Sequence, residues 1–148
     1  MKKVLLCICV VFTLIFIFGH SLMNQEVSHK ESTTVQKELV EPVHKAITGT
    51  ELIHFSVRDV AHIFEFAVLG VELLLLFRGK RMAFQGLRAL SYCGLTALID
   101  ESVQYLSGRA PQVVDIWYDI IGSAIGVFIG VLAILVVNSL RKPKEQKG

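Results

Sequence analysis

Charge is scarce in this sequence. Asp, Glu, Lys and Arg together make up 19% of 148 residues, while 53% are hydrophobic. A soluble domain of this length needs far more polar surface to cover its core. Cysteine is sparse too, with Cys7 and Cys9 in the first apolar run and Cys93 in the third. An odd count inside hydrocarbon argues against a disulfide framework and leaves three small apolar residues. No basic patch interleaved with aromatics points to nucleic acid. The Gly-rich phosphate loop, the His-Glu-x-x-His pair and the Gly-x-Ser-x-Gly elbow are all missing, so no usual soluble-enzyme signature is present. There is no internal repeat and no low-complexity segment.

What is present is four apolar stretches, at about 4–23, 60–77, 87–106 and 116–140. A helix needs roughly 20 such residues to cross the hydrocarbon core. Backbone groups at membrane depth must be satisfied within their own segment, so each stretch is expected to be helical. The chain therefore reads as an all-α integral membrane protein, a single domain over 1–148 folded as a four-transmembrane-helix bundle. Lys and Arg set its orientation. Lys2, Lys3, Arg78, Lys80, Arg81, Arg88, Arg141, Lys142, Lys144 and Lys147 crowd one set of ends. Lys30, Lys37, Lys45, Arg58 and Arg109 are diluted over the other. Both termini and the FRGKRMAFQG connection are thus expected in the cytoplasm, with a loop of about 24–58 and the SGRAPQVVD loop outside. The first stretch also fits a signal peptide, since Met1-Lys2-Lys3 precedes it and Gly19 and Ser21 are small. Its apolar character runs past Phe18 without an Ala-x-Ala site, which favours a retained span. In the outer loop Val35, Leu39, Val43 and Ile47 recur every four residues, the pattern of an amphipathic helix on the outer leaflet, with Pro42 starting a second short helix. A flexible loop fits the same residues.

Ionisable residues within a bilayer are costly, and each needs a partner or a use. In the second stretch His62, Glu65 and Glu72 share a helical face, joined by Asp59 at its outer end. In the third, Asp100 and Gln104 are four apart and Glu101 lies beside them. In the fourth, Asp115 and Asp119 are again four apart. The orientation brings His62, Glu65, Asp100, Glu101, Gln104, Arg109, Asp115 and Asp119 to one outer level, and leaves Glu72 deeper. Three helices are thus expected to hold one outward-facing cluster, with the first serving as an anchor. Gly122, Gly126 and Gly130 form a doubled small-xxx-small face, suited to packing within the bundle or to a homodimer. Trp117, Tyr118 and Tyr105 sit where interfacial anchors normally do.

Three readings compete for the cluster. One is an interhelical ion-pair network in which Arg58 and Arg109 balance carboxylates. Another is a pocket for a polar lipid head group, bound by Arg58, Asp100, Gln104 and Arg109. Its candidates for acid–base work are His62, Glu65, Glu101, Asp115 and Asp119. The last is a divalent cation site, since carboxylate oxygens suit magnesium or calcium.

The order Arg58-x-x-x-His62-x-x-Glu65-Phe66-x-x-x-Gly70, then Asp100-Glu101-x-x-Gln104, Gly108-Arg109 and Asp115-x-x-x-Asp119-x-x-Gly122-x-x-x-Gly126 resembles the VanZ-like membrane proteins of bacteria. A weaker echo, Ile15-Phe16 with Ser21 and Ser28, ends the first stretch. The match runs through nearly the whole chain. Phe66 stands where the family often has Tyr, and Arg58 where Lys is frequent. The resemblance implies a four-helix membrane fold in the bacterial cell membrane and an association with glycopeptide antibiotics. The namesake gives low-level teicoplanin resistance, distinct from rewriting the D-Ala-D-Ala terminus. Both lines together lead to an outer-leaflet polar site acting on or near a lipid-linked or lipoglycopeptide ligand. The alternatives are an accessory protein held by ion pairs, and a hydrolase or transferase acting on a phospholipid or prenyl-phosphate.

Overall fold

The computed structural model describes residues 2–22, 57–79, 81–106 and 113–141. They form four helices and no strand: α1 (Lys2–Ser21), α2 (Val57–Leu76), α3 (Met82–Leu106) and α4 (Val113–Arg141). Arg109, Pro42 and the four-residue pattern of the outer loop lie outside the described residues.

Each helix has a local cause. The Val, Ile and Phe residues of α1 are weak helix formers in water, but in hydrocarbon only helical pairing satisfies their backbone. In α2, Asp59 occupies the first turn, where a carboxylate favours the helix dipole. The third helix begins at Met82, ahead of its apolar stretch, on the good helix formers Met82, Ala83 and Gln85. The connection from α2 to α3 is short, which makes the two antiparallel neighbours. Its turn is fastened by Gln85, whose buried amide donates from Nε2 to the Gly79 carbonyl at 2.6 Å.

Helix α2 is the centre of the assembly, packing against α1, α3 and, most extensively, α4. Its Phe66, Leu69 and Leu74 are fully buried. They meet Ile17 of α1, the small residues Ala89, Cys93 and Ala97 of α3, and Val127 and Ile134 of α4. The α2–α4 crossing is a backbone-to-backbone contact. A Cβ added at Gly122 would collide with the Ile63 carbonyl, and one at Gly126 with that of Ala67. A Cβ on Gly70 would lie 2.7 Å from the Ser123 carbonyl oxygen, and one on Gly130 would lie 2.7 Å from Leu74 Cδ2. The glycine face of α4 is therefore covered by α2 of the same chain.

The distribution of polarity is the reverse of a soluble fold. Large apolar side chains such as Phe12, Ile15, Phe64, Leu95, Phe128 and Val136 point outward from all four helices, while Ser21, His62, Glu65, Asp100, Gln104, Asp115 and Asp119 are buried. So much exposed apolar surface marks contact with something other than water. Helices α1 and α4 are long and apolar enough to cross a membrane. These features indicate a membrane protein.

Candidate functional site

The buried residues of each helix follow its turn. On α4 they are Asp115, Asp119, Gly122, Ser123, Gly126, Val127, Gly130 and Ile134; on α3 they are Gln85, Ala89, Cys93, Ala97, Asp100 and Gln104. Spacings of three and four keep each set on one inward stripe. Along both stripes polar residues gather toward one end of the bundle, apart from Gln85 at the far end of α3. The same holds on α2, where His62 and Glu65 precede Phe66, Leu69 and Leu73. Antiparallel packing thus collects the start of α2, the end of α3 and the start of α4 at one level, and the end of α1 joins them.

Side-chain bonds tie these ends together. Arg58 Nη2 donates to Asp115 Oδ2 at 2.5 Å and to Gln104 Oε1 at 2.9 Å, linking α2, α4 and α3. Gln104 Nε2 donates to Asp100 Oδ2 at 2.8 Å and lies 3.5 Å from Ser21 Oγ. Ser21 Oγ in turn donates to Asp100 Oδ1, bringing in α1. His62 Nδ1 meets Asp119 Oδ1 at 3.0 Å, and Ser123 Oγ donates to the Asp119 carbonyl at 2.7 Å. His20 Nδ1 lies 3.2 Å from Glu65 Oε1, and the rings of His20 and His62 stack with centroids 6.4 Å apart. The Arg58 and His20 side chains keep 18% and 28% of their surface exposed, against 2–8% for Asp115, Asp119 and Glu65. These two form the mouth of the cluster, and the carboxylates its floor.

Three chemical capacities follow. A carboxylate fixed to an imidazole, as Asp119 is to His62, orients the ring for proton transfer. A guanidinium at the mouth suits a phosphate or carboxylate. His62, Asp100 and Asp119 each offer a ligand atom, and these lie within 4.8 Å of one another.

The structure divides the face that His62, Glu65 and Glu72 were expected to share. His62 turns to α4, whereas Glu65 and Glu72 turn to α1, Glu72 accepting from Thr13 Oγ1 at 3.2 Å. A helix at the centre of a bundle has neighbours on several sides, so a three-residue step is enough to change partner. Glu101 stands one position off the inward stripe of α3 and lines a shallow depression with Leu98, Tyr105 and Ile116. Arg109 lies outside the described residues.

One expectation needs correction. Helix α1 is more than an anchor, because Ser21 and His20 enter the cluster and Thr13 reaches the deeper Glu72. The signal was an ionisable His20 at the C-terminal end of an apolar run, at the level where the other polar residues gather. Ser21→Ala is expected to lower stability by about 1–2 kcal/mol, since Asp100 stays buried with one donor fewer. Thermal unfolding of the purified protein in detergent micelles measures this.

The model of the VanZ/LLP1 family matches residues 4–136, nine-tenths of the chain. The chain belongs to the VanZ/LLP1 family. No curated protein and no solved structure matches it. The matched region takes in all the clustered residues of this VanZ/LLP1 member, from His20 on α1 to Ser123 on α4. Phe66 is buried in its core directly after Glu65, so at this position an aromatic ring serves as packing without a hydroxyl.

Proposed function

We infer that this VanZ/LLP1 member is a multi-pass protein of the bacterial cell membrane that holds the polar part of a lipid-linked or lipophilic envelope component at the outer leaflet. In this reading all four helices cross the bilayer and both termini are cytoplasmic. The basic residues support that orientation: Lys3, Arg78, Arg81 and Arg88 lie at the opposite end from the cluster, and positive charge concentrates on the cytoplasmic side. The observation that carries the reading is a buried, charged cluster at one end of an apolar-walled bundle, with Arg58 at its mouth. A ligand with an acyl chain and an anionic head fits that surface, the chain against lipid-facing helices and the head at Arg58. Teicoplanin is itself acylated, so altered susceptibility to it is the expected phenotype. The pairing of His62 with Asp119 would supply acid–base chemistry if the ligand is also transformed.

The test is expression of the wild type, Arg58→Gln and Asp119→Asn at equal membrane levels in a susceptible host. The wild type is expected to raise the teicoplanin concentration needed for inhibition, and both variants to return it to the vector level. Mass spectrometry of co-purifying lipids should show an anionic envelope lipid with the wild type that Arg58→Gln loses. Variants as protective as the wild type, with the same lipids retained, would remove the basis of this reading.

A second reading, an ion-pair network that serves only to hold the helices together, is favoured by the close pairing of Arg58 with Asp115. The double variant Arg58→Met with Asp115→Leu separates the two. It should retain the fold in either case, and retain the resistance phenotype only if the network is structural.

A further inference from the structure

We propose that His62, Asp100 and Asp119 bind one divalent transition-metal ion, of the zinc or manganese class, between α2, α3 and α4. The assignment stands on these three side chains and is independent of the lipid reading. Each comes from a different helix and each is at least 96% buried. One ligand atom from each lies within 4.8 Å of the other two. His62 Nδ1 and Asp119 Oδ1 are 3.0 Å apart. Donors about 2.1 Å from one ion stand about 3.0 Å apart at right angles and about 3.4 Å apart in a tetrahedron, so this pair is spaced closely enough to share an ion.

Charge supports the same conclusion. Among the described residues the buried carboxylates at this end are Glu65, Asp100, Asp115 and Asp119. Arg58 is engaged by Asp115, and His20 stands by Glu65. Asp100 and Asp119 carry two negative charges when ionised and share the His62 imidazole as a neighbour, so a divalent cation held by all three would neutralise both carboxylates in a setting where charge is costly. A nitrogen donor among the three shifts the choice from magnesium or calcium, which take oxygen ligands, toward a transition metal, zinc above all, with manganese suited by the two carboxylates. The sequence spacing of carboxylates alone pointed to the oxygen-preferring ions, and the imidazole changes that.

The surroundings resemble the outer support of a metal centre. Ser21 Oγ and Gln104 Nε2 each hold one oxygen of Asp100, fixing its plane, and the His62 ring stacks on His20. Binding replaces any proton shared between His62 and Asp119, so uptake of the ion releases a proton. Three protein donors leave a coordination position for water or a phosphate oxygen, as in catalytic and not in closed structural sites.

The experiment uses the full chain in detergent micelles, stripped with a chelator and then equilibrated separately with zinc, manganese and magnesium. Elemental analysis is expected to find about one zinc or manganese per chain. His62→Ala, Asp100→Asn and Asp119→Asn should each weaken binding by roughly 100-fold or more. Glu72→Gln, and Cys7→Ser with Cys9→Ser, should leave it unchanged, which excludes the deeper carboxylate and the two thiols of α1. Asp119→His keeps a donor and should bind within about tenfold of the wild type, so loss of binding in Asp119→Asn can be told from loss of fold. Three results overturn the proposal: no stoichiometric uptake by the wild type, binding that survives all three ligand substitutions, or uptake of magnesium alone.

Discussion

Gly126→Leu is expected to destabilise the protein by about 3 kcal/mol or more, the upper range for overpacking a closed contact. The first added atom already meets the Ala67 carbonyl, and a backbone carbonyl on a central helix has no rotamer by which to move aside. The crossing can relax only if α4 lifts away from α2. That would draw Asp119 from His62 and Asp115 from Arg58, because these pairs span the same two helices. The effect should therefore reach the polar cluster from about two to three turns away. Gly94→Ala provides the contrast, since nothing lies within 4 Å of its added Cβ. There the gain in helix propensity should stabilise by about 0.5–1 kcal/mol. Thermal unfolding of both variants in detergent decides the matter, and a Gly126→Leu protein melting with the wild type would contradict the close α2–α4 contact.

Arg58→Ala is the second large effect. Removing one partner of a buried ion pair costs about 3–5 kcal/mol, mostly because the remaining charge is left uncompensated. Here the substitution strands the Asp115 carboxylate, whose side chain is 4% exposed, and also frees the Gln104 carbonyl oxygen. Arg58→Lys should recover only part of the loss. An ammonium keeps the charge but lacks the fork of nitrogens that lets one residue address acceptors on two helices. The double variant Arg58→Met with Asp115→Leu should be less destabilised than either single truncation, because no isolated charge is left behind. A thermodynamic cycle over the wild type, Arg58→Met, Asp115→Leu and the double variant measures the coupling, and additive losses would show that the pair does not interact.

Much of the fold could be read directly from hydrophobic runs. Four apolar stretches became four helices, each pairing its backbone groups within its own segment. The spacing of Gly122, Gly126 and Gly130 likewise marked a face of close approach. That face was open to two partners, another chain or another helix, because spacing on one helix carries no information about what lies opposite. Packing settled this for α2, whose Gly70 approaches Ser123 from the other side.

The candidate site was legible as a level, and much less as a set of pairs. His62, Glu65, Asp100, Gln104, Asp115 and Asp119 could be placed near one another by orientation alone. Which carboxylate accepts from which donor depends on how each helix is turned about its own axis. That rotation is set by the summed packing of all four helices. So His62 pairs with Asp119 across α2 and α4, instead of with Glu65 on its own helix, and Glu65 is held by His20 from α1.

The sequence by itself determined that this protein is apolar, helical and polar at one end, because hydropathy and period are local properties that any neighbour would respect. Only the tertiary structure decided that α1 completes the cluster through Ser21, that α2 fills the glycine face of α4, and that an imidazole and two carboxylates from three helices converge. Those facts depend on distances between segments far apart in the chain. Such distances are fixed only when close packing selects one rotation and one crossing for every helix at once.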